Sequence, residues 1–180
     1  MNLNGGTLQA AGSIELISNA SDRIAVNVLS GGAIIDTQAF NASISESLRD
    51  GGGGLTKNGT GKLTLTGANT YTGATAINAG TLEVSGSLAS TNIAVSATTT
   101  LVLLNMTCLS TNAVLSYAVG ATNTLNYSGT QTVHAIYING LPKPAGVYHS
   151  GNCPVLTGSG WLQTLYSPPT QGTLISFVCE

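Results

Sequence analysis

Charge is what this chain has least of. Only 7% of its 180 residues are Asp, Glu, Lys or Arg, against roughly 25% in an average soluble domain. Its five basic residues, Arg23, Arg49, Lys57, Lys62 and Lys143, are scattered. They form no stripe that could follow a phosphate backbone, which argues against nucleic acid as a partner. Long apolar runs are missing too. The longest, LVLLNM at residues 101–106, falls far short of the roughly 18 residues that span a bilayer, so the segment is not expected to cross a membrane. The opening MNLNGGTLQA has neither the basic start nor the apolar centre of a signal peptide. Surface polarity must come from Thr, Ser, Asn and Gly. Such a surface suits an extracellular or cell-surface protein, so the chain reads as an internal piece of an exported one.

Cysteine is scarce as well. Cys108, Cys153 and Cys179 are the only three, with no CxxC or Cys/His cluster that would hold a metal. Two readings stand. Cys108 and Cys153 pair in an oxidising compartment, leaving Cys179 unpaired or bonded to another chain; or all three are separate small hydrophobes. The groups of an active site are also thin. His134 and His149 have no GxSxG or similar nucleophile motif beside them. Asp22, Asp36 and Asp50 are isolated, unlike the carboxylate clusters that hold calcium in polysaccharide lyases. No enzyme activity, cofactor or metal is expected.

Helix signals are nearly absent. Only SISESLRD, residues 43–50, reads as a helical turn. Elsewhere the period is two: Val26 and Val28, Leu63 and Leu65, Leu82 and Val84, Ile93 and Val95, Leu101 and Leu103 alternate with polar residues. Each run is short and ends in Gly, Asn or Ser, the pattern of strands with one buried face. A β-sandwich, a barrel or a β-solenoid would fit. Three features favour the solenoid. The chain repeats itself, in NGGTLQA, AGTLEVSGSL and GSGWLQTL. Asn58-Gly59 and Asn139-Gly140 supply residues that accept the left-handed backbone of a corner. Threonine and serine dominate outward positions, where stacked turns place like residues about 4.8 Å apart, and stacked charges would repel.

The stretch GGLTKNGTGKLTLTGANTYTGATAINAGTLEVSG, residues 53–86, resembles the autotransporter-associated β-strand repeat. Gly54, Leu55, Thr56, Lys57, Gly59, Gly61, Leu63, Leu65, Gly67, Asn69, Tyr71, Gly73, Thr75, Ile77, Gly80 and Leu82 occupy its fixed positions. HAIYINGLPKPAGVY, followed by LTGSGWLQTL, is similar to the unit that closes such arrays in large secreted surface proteins of Verrucomicrobia-like bacteria. The resemblance implies a right-handed parallel β-helix from the passenger region of an exported protein, linked to secretion and stalk-like structure rather than catalysis.

The organisation that follows is β-helix turns over residues 2–107 including the repeat, final turns and a C-terminal cap over 108–165, and a linker with the start of a further segment over 166–180. Residues 108–148 are expected to leave the regular pattern. Leu63, Leu65, Ile77, Leu82 and Val84 should stack inside. Gly59, Gly61, Gly67 and Gly73 should mark turns or close backbone approach. Asn69 should either bond corner backbone or stack in a ladder. The functional expectation is a non-enzymatic stalk, spacer or adhesin passenger, self-associating through the ends of the helix. The rival is a carbohydrate-binding or host-surface module, with Tyr71, Tyr148 and Trp161 as candidate stacking faces.

Overall fold

The computed structural model describes residues 1–18 and 24–166. The expected linker, from residue 167 on, and Cys179 lie outside them. All regular structure in the described residues is β: short parallel strands stacked into a solenoid of about six turns. The expected helical turn at residues 43–50 is instead two strands, Ala42–Ile44 and Leu48–Gly51. Ile44 and Leu48 are both fully buried, one on each side of a corner. A corner between two strands thus reproduces the four-residue apolar spacing of a helix.

Each turn passes three faces. The first face is a sheet of Thr7–Gln9, Ala33–Asp36, Leu55–Asn58, Thr75–Ile77, Asn92–Val95, Val114–Tyr117 and Ala135–Ile138, all parallel. The second stacks Glu15–Ile17, Ala42–Ile44, Lys62–Leu65, Thr81–Val84, Thr100–Leu103, Thr122–Leu125 and Leu156–Gly158. The third is broken into shorter pieces, among them Val26–Leu29 with Leu48–Gly51, Ala68–Asn69 with Ser87–Leu88, and Thr130–Val133 with Trp161–Thr164.

Parallel register puts like positions above one another, and this builds the core. One inward column runs Ala42, Leu63, Leu82, Leu101; its neighbour runs Ile44, Leu65, Val84, Leu103, Leu125. All but Ala42 are fully buried, and each large side chain contributes about 1.5–3 kcal/mol. Outside, Thr81, Thr100 and Thr122 form a column, with the Thr100 and Thr122 hydroxyls 2.9 Å apart. Thr64 has Glu83 and then Val102 above it, so no unbroken threonine array forms there. Glu83 is matched by the Lys62 ammonium at 3.0 Å rather than by a like charge.

The turn is tightest at the repeat. Thr75 pairs with Leu55, twenty residues before it, and with Ile93, eighteen after. It loosens towards the end, where Asn123 pairs with Leu156 and Thr130 with Trp161. The expected departure from regular turns at residue 108 does not occur. Strands continue in register through Ile138, because the extra residues between Leu103 and Val114 are taken up in a corner loop. The cap begins at Asn139-Gly140, where φ angles of 52° and 78° reverse the chain. Leu141–Pro142 then lies antiparallel on the first face, and Gly146–Tyr148 lies antiparallel to Trp161–Thr164 on the third. A two-residue strand with a proline, which lacks an N–H donor, offers little edge to another chain.

Candidate functional site

The inward columns contain polar side chains, and these form the most organised chemistry in the molecule. Lys57 is the clearest. It occupies the apolar column Ile35, Lys57, Ile77, Val95, Tyr117 and is fully buried. Its Nζ donates to Thr37 Oγ1 at 2.9 Å, Asn58 O at 2.9 Å, Gly59 O at 2.8 Å and Ala79 O at 3.1 Å. Three N–H groups thus serve four acceptors, one of them shared. Those acceptors come from three successive turns: Thr37 below, Asn58 and Gly59 in its own, Ala79 above. Burial pushes the ammonium from its ordinary 10.5 down to about 8, with the Asp36 carboxylate pulling the other way. The charge reading counted Lys57 only as one of five scattered cations; the alternation Leu55, Lys57 carried the signal for an inward position.

Asn69 does for the third face what Lys57 does for the corner. Its Oδ1 accepts the Leu48 N–H at 3.0 Å, and its Nδ2 donates to Gly67 O at 2.9 Å and Ser87 O at 3.1 Å. It therefore bonds corner backbone in three turns. The ladder alternative fails, since Leu88 stands above it. Further up, Gln131 accepts the Leu109 N–H and donates back to Leu109 O, standing in for a missing strand pair. Asn123 donates to the Tyr117 hydroxyl at 2.7 Å in the core.

The motif glycines explain how turns come this close. A Cβ on Gly61 would overlap the Phe40 carbonyl, one on Gly80 the Gly61 carbonyl, one on Gly73 the Gly53 carbonyl, and one on Gly86 the Gly67 carbonyl. Glycine thus stacks on glycine at the corners of the repeat. Gly59 has the left-handed φ of 81° that its corner requires.

The stacking candidates separate. Tyr71 is fully buried, and its hydroxyl is 2.8 Å from Thr75 Oγ1, so it cannot meet a glycan. Burial pushes its hydroxyl well above the ordinary tyrosine range. Tyr148 packs partly on the core, and its hydroxyl donates to Pro144 O at 2.8 Å. Trp161 is half exposed, with the His149 ring 5.7 Å from its own. His134 lies against Tyr166. Among the described residues neither histidine bonds an aspartate, and no group of three His, Cys, Asp or Glu side chains is placed to hold a metal.

Cys108 and Cys153 are unpaired and buried, so the disulfide reading is corrected to that of two separate thiols. Cys108 Sγ contacts Val84 O at 3.1 Å. Burial pushes both thiols up, away from the reactive thiolate form. Surface depressions are open; one of 430 Å³ on the first face is lined by residues such as Ala94, Val95, Ala118 and Val119, with no charged side chain. No helix of the described residues is long and apolar enough to cross a membrane.

Neither a curated protein nor a solved structure matches the chain. Residues 55–84, the turns held together by Lys57 and Asn69, match the family model described as the passenger-associated-transport-repeat.

Proposed function

We propose that this chain is a non-enzymatic structural segment, a stalk or spacer within the passenger of a secreted or cell-surface bacterial protein. One observation carries the reading: the buried polar side chains of the repeat are consumed in tying neighbouring turns together. Lys57 and Asn69 each bond backbone or side chain in three turns, which leaves none of their donors for a substrate. The passenger repeat at residues 55–84 supports secretion or surface display. It says nothing of a Verrucomicrobia-like source.

A spacer must lengthen in steps of one turn. Thr81 pairs with Lys62, so a second copy of residues 62–80 inserted before Thr81 restores register. Four added copies should lengthen the particle by roughly 19 Å at the strand spacing of about 4.8 Å, measured by small-angle X-ray scattering, with cooperative unfolding retained. Inserted residues that instead scatter as flexible coil would remove the spacer reading.

A further inference from the structure

We propose that the cap carries a binding site for a neutral sugar ring, with Trp161 as its stacking surface and His149 as its flanking donor. The proposal goes beyond the stalk reading and does not depend on it. Trp161 is the only tryptophan in the chain and leaves half of its surface open at 50% exposure. It lies on the central strand of the three-stranded cap sheet, between Thr130–Val133 and Gly146–Tyr148. Its strand neighbours Leu162 and Thr164 are buried, so the indole is on the outward side.

The strand that carries the ring is fixed: the Trp161 backbone carbonyl accepts the Tyr127 hydroxyl at 3.0 Å. The Tyr127 ring has room beside that strand only because residue 160 is glycine: a Cβ there would come within 2.6 Å of Cε2. His149 is fixed as well. Its N–H donates to Asn152 Oδ1 at 2.8 Å, and its Nδ1 accepts the Gly151 N–H at 3.1 Å. Gly151 lets the imidazole sit close, since a Cβ there would come within 2.9 Å of Cε1. With Nδ1 as acceptor, the neutral ring carries its proton on Nε2. That N–H has no partner among the described residues. An outward aromatic face beside an unpartnered donor suits a ligand with an apolar face and polar rim.

Charge selects the class of ligand. Between Glu83 and Glu180 the sole charged residue is Lys143. Beside the exposed Val147, which pairs with Gln163, the outward positions around Trp161 are Thr130, paired beside it, and Thr132 and Gln163, two residues along. Such neutral hydrogen-bonding groups suit hydroxyls. They carry no charge to attract phosphate, sulfate or a cationic peptide. A pyranose presents C–H groups on one face and hydroxyls at its edge, which matches this arrangement.

The single tryptophan makes the test direct. Intrinsic fluorescence is titrated with maltohexaose, cellohexaose, mannohexaose and a galactose-terminated tetrasaccharide, with heparin as the anionic control. Saturable quenching or a blue shift with at least one neutral glycan, at millimolar affinity or tighter, is expected. A glycan array read with wild type and Trp161→Ala follows. The variant should lose binding at least tenfold, with an unchanged unfolding midpoint that shows it still folds. His149→Ala should weaken binding less. Absence of saturable response to every neutral glycan would overturn the proposal. So would equal binding by Trp161→Ala, a response to heparin alone, or a blue shift that tracks protein concentration without sugar, which would make a second copy the occupant.

Discussion

Replacing Lys57 by methionine should destabilise the chain by about 2–4 kcal/mol, measured by urea unfolding at pH 7. Methionine keeps the volume of the lysine stem and suits the apolar column between Ile35 and Ile77. The hydrophobic contribution is therefore nearly preserved, and relief from burying a charge works in the variant's favour. The carbonyls decide against it. Asn58 O retains the Thr37 N–H, but Gly59 O and Ala79 O lose the Lys57 donor. Both carbonyls are partly buried, and an orphaned acceptor costs about 1–3 kcal/mol at full burial.

The pH dependence has a definite sign. The folded ammonium gives up its proton at about 8 and the unfolded one at 10.5. Below pH 8 both states hold the proton and the contribution is constant. Between pH 8 and 10.5 the unfolded chain binds more protons, so stability rises with pH. The neutral amine still has two N–H donors for the carbonyls. The gap between wild type and Lys57→Met should therefore widen from pH 7 to pH 10. A gap that shrinks would mean that the carbonyl cage favours the charge enough to outweigh burial.

Gly61→Ala should cost about 2–4 kcal/mol in the same assay. The new Cβ would meet Phe40 backbone, not the end of a side chain that could swing away. Relief requires the two turns to separate, yet the Gly61 N–H donates to Gln38 O across that gap at 2.8 Å. Gly12→Ala is the matched comparison. Nothing lies within 4 Å of its Cβ position, so it should be neutral or slightly stabilising through the unfolded chain. Equal losses at both positions would show that close approach is not the reason for glycine in the repeat.

Alternation and glycine spacing made much of this fold legible before any coordinates. Leu63, Leu65, Ile77, Leu82 and Val84 are buried as their period of two requires. Local pattern failed where a corner interrupts the period. Ile44 and Leu48 read as a helix because two strands meeting at a bend mimic its spacing. Residues 108–112 read as the start of a cap because a longer corner loop resembles an end, while the strands on either side stay paired. Chemistry inside the coil was less accessible. Lys57 was counted by its charge, although its place in the alternation put it inside. Tyr71 was a possible platform until the Thr75 hydroxyl, four residues on and buried in the first-face column, was seen to receive it. Cys108 and Cys153 gave no spacing that decides pairing; only their separate surroundings do.

Native-state hydrogen exchange at residue resolution tests the central claim most directly. If Lys57 and Asn69 make the repeat the brace of the stalk, the slowest amides should lie within residues 55–84. In Lys57→Met those amides should speed up, together with Ala33–Asp36 below and Asn92–Val95 above. Slowest exchange in the cap, with residues 55–84 opening first, would contradict the account.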